Sequence, residues 1–135
     1  MRETNQRLMD TFFEGVNSHD PDLLVSVLAE NCEINDEGAP YPYDRAGLHE
    51  MHSAFYEHFP DARFEILHRI VEENGACYVY RATGTGRGEW PEGNDIEGAR
   101  MDLVEVLVAR VADGAIVGLD FHMDTELLRQ QVWRS

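Results

Sequence analysis

Two alternating apolar segments separated by Asp113-Gly114 place the strongest constraint on how this chain can fold. The segments cover residues 101–111 and 115–124. An Asp-Gly pair favours a two-residue type I′ turn, because both turn positions require φ > 0. The pattern therefore predicts an antiparallel hairpin in which one face of each strand is turned toward a core.

A two-residue turn also predicts the register of this hairpin, because the strands pair outward from the turn residue by residue. Leu107 then faces Asp120, and Glu105 faces His122. Two carboxylates and an imidazole would lie together on a strand face that is otherwise mostly apolar. We interpret this cluster as the candidate site, because buried ionisable groups are costly unless they are paired or line a cavity.

Length, composition and charge restrict the class of protein. The chain has 135 residues, of which 43% are hydrophobic, and this predicts one folded domain over residues 1–135. A net charge of −15 argues against a nucleic-acid partner, because a phosphate backbone would be repelled. No apolar segment is long enough to span a bilayer, and the amino terminus lacks the apolar core of a signal peptide. We therefore expect a cytoplasmic protein without a membrane partner.

Three helices are predicted before most of the strands. Apolar spacing indicates a helix over residues 4–16. Asp20-Pro21 has the composition of a helix start, with aspartate as N-cap and proline in the first turn. Asp44 is predicted to cap a third helix that runs to about residue 58.

The remaining elements are predicted to be mainly strands. A short strand over residues 32–37 precedes a hairpin of residues 62–73 and 76–85 around Asn74-Gly75, and helical turns follow at residues 125–133. A glycine-rich loop at residues 86–98 carries Trp90 and is a candidate rim or lid. Helices followed by antiparallel strands predict an α+β fold, and helices packed on the concave side of a curved sheet would form a cone with an open mouth.

The second hairpin contributes further polar candidates. A turn at Asn74-Gly75 pairs His68 with Arg81 and directs both side chains toward the core. The complete set of polar side chains predicted to point inward is Asp36, His68, Arg81, Glu105, Asp120 and His122. These residues either line a pocket, with Arg81 paired to a carboxylate and Glu105 orienting His122, or form salt bridges at the rim of the sheet.

Other patterns point away from cofactor and metal chemistry. No arrangement of Ser, Cys, His and Asp typical of covalent catalysis is present in the sequence. His49 and His52 have i, i+3 spacing but no evident third ligand, so we predict a solvated or half-buried pair and no metal. The glycines at residues 84–88 are not followed by a helix, which argues against a phosphate-binding loop. We therefore expect no cofactor.

Four stretches resemble the SnoaL-like polyketide cyclases, a branch of the nuclear transport factor 2-like superfamily. They are residues 16–20, 59–64, 83–90, and 110–117 with its continuation through Asp120 to residues 127–130. The resemblance spans nearly the whole chain. It implies a cone-shaped α+β barrel of cystatin-like type, with a curved antiparallel sheet wrapped around N-terminal helices, and a homodimer formed through the exposed sheet face.

The resemblance also implies roles for particular residues. Asp120 falls where the cyclases carry their acid–base aspartate, although this match uses one residue fewer after the turn than is usual. Their pocket histidine corresponds to Leu107, and His122 is its candidate substitute. Asp36 matches the proton-shuttling aspartate of ketosteroid isomerases, whose oxyanion-binding tyrosine and aspartate correspond to Phe12 and Leu107. Of the five residues used by limonene-epoxide hydrolases, Arg81 and Asp120 match, whereas Thr83, Ile34 and Asp36 differ.

The leading hypothesis is cofactor-independent acid–base catalysis on a small, largely apolar, oxygenated molecule, of the cyclase, isomerase or hydrolase kind. Asp120 is the expected principal acid–base residue, with Asp36 as partner and His122 relaying protons. The expected substrate-binding residues are Arg81, Glu105, Leu107, His68, Phe12 and Trp90. The alternatives are a non-catalytic ligand-binding or dimerisation module of the same fold, and an epoxide hydrolase of the limonene-epoxide type.

Overall fold

The computed structural model describes residues 2–39 and 42–133. The helices are α1 (Arg2–Asn17), α2 (Pro21–Val25), α3 (Arg45–His58) and α4 (Thr125–Gln131). The strands are β1 (Leu28–Asp36), β2 (Arg63–Val71), β3 (Gly75–Thr85), β4 (Arg100–Ala112) and β5 (Ala115–Met123). The predicted order of elements is confirmed, and β1 begins four residues earlier than the sequence pattern indicated. None of the described helices has both the length and the apolar character needed to cross a membrane.

Aspartate side chains start three of the helices. Asp20, Asp44 and Asp124 accept hydrogen bonds from the backbone N–H groups of Leu23, Gly47 and Leu127, which lie three residues further along. These bonds satisfy N–H groups that have no partner within the helix. The predicted starts of α2 and α3 are therefore confirmed.

The strands form one sheet in the order β1-β5-β4-β3-β2. Neighbours from β2 to β5 are antiparallel, but β1 runs parallel to β5. The sheet is therefore mixed, where an antiparallel sheet was predicted. The sheet is curved and does not close, and the predicted α+β cone is confirmed.

The core lies between the inner face of the sheet and the helices. Phe13 of α1 stacks on Tyr78 of β3 with ring centroids 4.9 Å apart. Phe12 and Leu107 are 1% and 0% exposed and belong to this core. Burying each of these side chains contributes about 2 kcal/mol to folding, so both residues are accounted for by packing.

The β4–β5 hairpin has the predicted turn but not the predicted register. Asp113 and Gly114 have φ values of 52° and 75°, as a type I′ turn requires. Val111 pairs with Ile116, but Arg110 then pairs with Gly118, so Val117 is an extra residue in β5. This bulge moves the rest of β5 by one position and exchanges the faces of its side chains. Asp120 now pairs with Val108, and His122 pairs with Val106, on the outer face.

The β2–β3 hairpin turns one residue earlier than predicted. Val71 pairs with Ala76, and the Glu72 N–H donates to the Gly75 carbonyl, so Glu73-Asn74 forms the turn. The Asn74 carbonyl accepts a hydrogen bond from the Val111 N–H of β4, which joins this turn to the neighbouring strand. His68 consequently pairs with Val79 and not with Arg81. The predicted inward orientation of His68 and Arg81 is wrong, because the alternate residues of β3, Tyr78, Tyr80 and Ala82, are the ones buried in the core.

Candidate active site

A cavity of about 850 Å³ lies between α3 and the inner face of the sheet. The α3 wall includes Met51, His52 and Phe55, and the sheet wall includes Phe64, Ala82, Met101 and Phe121. The loop between β3 and β4 contributes Trp90, and Trp133 lies beside it with ring centroids 5.3 Å apart. The cavity is therefore mostly apolar and of a size that suits a small organic molecule.

Glu105 and Tyr80 form one of two polar pairs in the cavity. They are cross-strand neighbours on the inner face of β3 and β4. The Tyr80 hydroxyl donates to Glu105 Oε1 at 2.7 Å, and Tyr80 is 3% exposed. This bond fixes the orientation of the carboxyl group within an apolar wall.

Asp36 and Tyr43 form the second pair. A backbone bridge between Ile34 and Tyr43 positions the tyrosine beside the end of β1. The Tyr43 hydroxyl donates to Asp36 Oδ2 at 2.9 Å, and the Gly38 N–H donates to Asp36 Oδ1 at 2.8 Å. Desolvation of the carboxyl group raises the pKa of Asp36, against the lowering effect of these two bonds.

The two carboxyl groups differ in how completely they are bonded. Both oxygens of Asp36 accept hydrogen bonds, whereas Glu105 Oε2 has no hydrogen-bond donor among the described residues. Every fully buried side-chain oxygen among the described residues has a hydrogen-bond partner. Oε2 has none, so it is not fully buried, and it is accessible from the cavity that Glu105 lines. Burial raises the pKa of Glu105 to about 7, against the lowering effect of the Tyr80 hydrogen bond, and the charge of Asp36 adds to the increase. Glu105 is therefore the group best placed to take up and return a proton near neutral pH.

The predicted site residues fall into three groups in the structure. Asp36, Glu105 and Trp90 line the cavity. Phe12 and Leu107 lie in the core, which corrects their expected place beside a substrate. Asp120, His122, Arg81 and His68 lie outside the cavity.

Each of the four residues outside the cavity is on the outer side of the sheet. Asp120 Oδ1 accepts a hydrogen bond from the Asn35 amide at 2.9 Å, and its Oδ2 lies 3.9 Å from the Arg110 guanidinium. His122 Nδ1 lies 2.7 Å from Glu37 Oε1. Arg81 donates two bonds to Asp102 at 2.8 and 2.6 Å, and His68 is exposed on β2. The predicted cluster of Glu105, Asp120 and His122 on one face is therefore wrong, because of the bulge at Val117.

Three cavity residues were missed by the sequence analysis. The predicted inward orientation of Arg81 implied that its neighbour Tyr80 faces outward, and Tyr43 lies outside the predicted helices and strands. His52 was expected to be solvated or half-buried, but it is 8% exposed, whereas His49 is half-buried, as predicted, and bonds to Asp22. For the misplaced Asp120 and His122, the available signal was Gly118, since a glycine inside a strand pattern indicates a bulge.

The curved sheet, the helical layer and the apolar cavity containing carboxyl groups define a cone-shaped α+β protein with an internal ligand-sized site. The chain belongs to the SnoaL-like family, because residues 9–119 match the model of the SnoaL-like domain. This match confirms the resemblance found in the sequence. No curated protein sequence matches the chain.

Solved structures with the same fold cover nearly the whole chain. AclR from Streptomyces galilaeus, for which a hydroxylase activity has been proposed, is 18% identical, has a TM-score of 0.84, and aligns over 100% of this chain and 99% of its own. A SnoaL-like protein from Jannaschia sp. CCS1, a proposed polyketide cyclase, is 15% identical with a TM-score of 0.84 and coverages of 97% and 92%. An NTF2-like protein from Burkholderia thailandensis is 21% identical with a TM-score of 0.75 and coverages of 93% and 94%. At these identities the likeness establishes the fold.

Proposed function

We propose that this protein catalyses cofactor-independent acid–base chemistry on a small, uncharged, largely apolar, oxygenated molecule held in the cavity. The observation that carries the proposal is Glu105, which presents an unbonded carboxyl oxygen to an apolar cavity. Its pKa of about 7 leaves both the acid and the base populated at neutral pH. The same side chain can therefore remove a proton from one position of a substrate and return it to another.

The surrounding side chains support this role for Glu105. The Tyr80 hydroxyl, bonded to Oε1, holds the carboxyl group so that Oε2 points to the substrate. Asp36 has both oxygens occupied and acts through its charge, which raises the pKa of Glu105. The role of principal acid–base residue, expected for Asp120, is thus assigned in this proposal to Glu105.

The charges around the cavity favour an uncharged substrate. Asp36, Asp44, Glu50 and Glu105 line it, and no lysine or arginine is present among the described lining residues. A carboxylate or phosphate would lose its hydration in this cavity without gaining a cationic partner. Arg81, the expected oxyanion-binding residue, lies outside the cavity and is paired with Asp102.

Ring closure is one reaction that these features accommodate. It begins with removal of a proton next to a carbonyl group, and this requires a positioned base in a dry cavity. The proposed polyketide cyclase activity of the Jannaschia protein adds to this possibility, although that protein shares only 15% of its residues with this chain. Isomerisation begins with the same proton transfer, so both reactions remain within the proposal.

Deuterium exchange into 2-tetralone tests the proposal without the natural substrate. This apolar bicyclic ketone has acidic protons next to its carbonyl group, and NMR in deuterated buffer follows their replacement. We expect exchange above the buffer rate, increasing with pH through the pKa of Glu105 as the carboxylate forms. Saturable binding of 2-tetralone with exchange at the buffer rate would instead favour the non-catalytic ligand-binding module.

We also propose that the outer sheet face joins two copies of the chain. Ile70 and Val104 are 63% and 54% exposed on this face, and between them Val79 of β3 pairs with Val106 of β4. Val104→Asp should convert a dimer to a monomer in light scattering. Arg81, the cross-strand neighbour of Val104, is already paired with Asp102, so pairing two such faces would bury an extra carboxylate from each copy at a cost of several kcal/mol. The uncharged Val104→Thr variant should remain a dimer, and a monomeric wild-type protein would contradict the proposal.

A further inference from the structure

His52 presents a hydrogen-bond acceptor to the cavity that the proposed chemistry of Glu105 does not use. Its Nδ1 lies 3.2 Å from the backbone carbonyl of Leu48, one turn earlier in α3. A carbonyl oxygen only accepts, so Nδ1 carries the proton in this bond. In the neutral ring, Nε2 is then left with a free lone pair.

The structure indicates where this lone pair points. Among the described residues, every fully buried side-chain nitrogen has a hydrogen-bond partner. Nε2 of His52 has none, so it is not one of the fully buried atoms. Nε2 is therefore accessible, although the residue as a whole is only 8% exposed. Since His52 lines the cavity, the accessible edge of the ring faces the space that a ligand would occupy.

The ring is also held in its neutral form. Burial lowers the pKa of His52 to about 4, against the raising effect of the bond to Leu48. Protonation would turn Nε2 into a donor, but burial of the ring prevents protonation at neutral pH. The rings of Phe55 and Tyr56 lie beside the imidazole, with centroids 6.4 and 5.7 Å from its own.

We propose that Nε2 of His52 accepts a hydrogen bond from a hydroxyl or enol group of the ligand. The cavity therefore selects molecules that carry an O–H donor on the side that faces α3. An ether or an unsubstituted ring at that position would leave the buried acceptor unsatisfied, which is unfavourable. This inference rests on the proposed function only in placing the ligand in the same cavity.

Binding of two matched naphthalenes tests the inference. The probes are 2-naphthol, which has an O–H donor, and 2-methoxynaphthalene, which does not, and titration calorimetry gives the ratio of their Kd values. We expect 2-naphthol to bind wild-type protein about tenfold more tightly. His52→Asn can keep a bond to Leu48 but has no atom at the position of Nε2, and it should lose the preference. His52→Gln places an amide oxygen near that position and should keep it.

The test also includes a control variant at His49 and an NMR measurement on the wild-type protein. His49→Gln alters the half-buried histidine of the same helix, which does not line the cavity, and should leave the ratio unchanged. In wild-type protein, nitrogen NMR of ¹⁵N-labelled histidine should show the unprotonated Nε2 resonance of His52 moving toward the protonated position when 2-naphthol binds, and not with 2-methoxynaphthalene. Equal binding of the two probes, or a preference that survives in His52→Asn, would overturn the inference. Either result is independent of deuterium exchange into 2-tetralone, which tests Glu105.

Discussion

Glu105→Gln is expected to slow deuterium exchange into 2-tetralone by about 100-fold or more, the usual contribution of a positioned acid–base group. Glutamine retains an amide oxygen that can accept the Tyr80 hydrogen bond, so the side chain should keep its place in the cavity wall. It cannot accept a proton at neutral pH, and the base is lost while the shape is preserved. Asp120→Asn is the matched comparison, because Asp120 is a carboxylate on the adjacent strand that faces away from the cavity.

The two variants distinguish the assignment made from the sequence from the one made from the structure. If Glu105 is the base, Asp120→Asn should exchange within about twofold of wild type, since only its contacts with Asn35 and Arg110 change. A large loss in Asp120→Asn, with Glu105→Gln unaffected, would restore the assignment made from the sequence. Calorimetric binding of 2-tetralone to each variant separates loss of chemistry from loss of binding.

The fold was predictable because its signals are local. Aspartate N-caps started α2 and α3, and Asp113-Gly114 formed the expected turn. Each of these features depends on residues that are only a few positions apart in the sequence. Overall shape followed from the order of the elements and the resemblance, without any need for accurate strand register.

The site was less predictable because it depends on register, and one extra residue exchanges the two faces of a strand. Gly118 marks the bulge in β5, and the guanidinium of Arg110 occupies the space where a Cβ atom would lie. Residue-by-residue pairing outward from the turn requires an uninterrupted strand, and under that condition Asp120 and His122 would lie beside Glu105. The unusual residue spacing in the match of Asp120 to the cyclases pointed to the same irregularity.

The turn of the β2–β3 hairpin depends on a third strand, β4. Asn74-Gly75 is a strong turn signal when two strands are considered alone, but β4 also pairs with this segment. Gly75 lies so close to the Ala109 carbonyl that a side chain there would collide with it. The glycine therefore serves the close approach of two strands and not a positive φ. Such a contact joins residues 34 positions apart, and a local pattern does not reveal it.

The stability of the protein should also depend on the ionisation of Glu105. Its pKa is about 7 in the folded state, against 4.5 for an exposed glutamate, so the folded protein binds the proton more tightly than the unfolded chain. The stabilisation is fully present below pH 4.5 and is lost as the pH rises through 7. The difference between these pKa values corresponds to at most about 3 kcal/mol. Relative to Glu105→Gln, the wild-type protein should therefore become less stable over this interval by up to that amount.

The difference between wild type and variant isolates this effect. His52 has a pKa lowered to about 4 in the folded state, so its contribution to stability increases as the pH rises toward 6.5, opposite to that of Glu105. The absolute profile of the wild type therefore combines two opposing slopes. Since Glu105→Gln retains His52, subtracting the two profiles removes the histidine contribution.

Urea denaturation at pH 5, 6, 7 and 8 measures both profiles through tryptophan fluorescence. Glu126→Gln is a suitable control, because Glu126 is an exposed glutamate whose pKa is lowered by Arg129, and its profile should parallel the wild type between pH 5 and 8. Parallel profiles for wild type and Glu105→Gln would show that Glu105 is not desolvated, and they would also remove the basis for its acid–base role. The two predictions are linked because one physical cause, burial of a carboxyl group in an apolar wall, both tunes its proton affinity and opposes its ionisation. Glu105→Gln, which should lose its activity in deuterium exchange, should therefore be more stable than the wild type at pH 8.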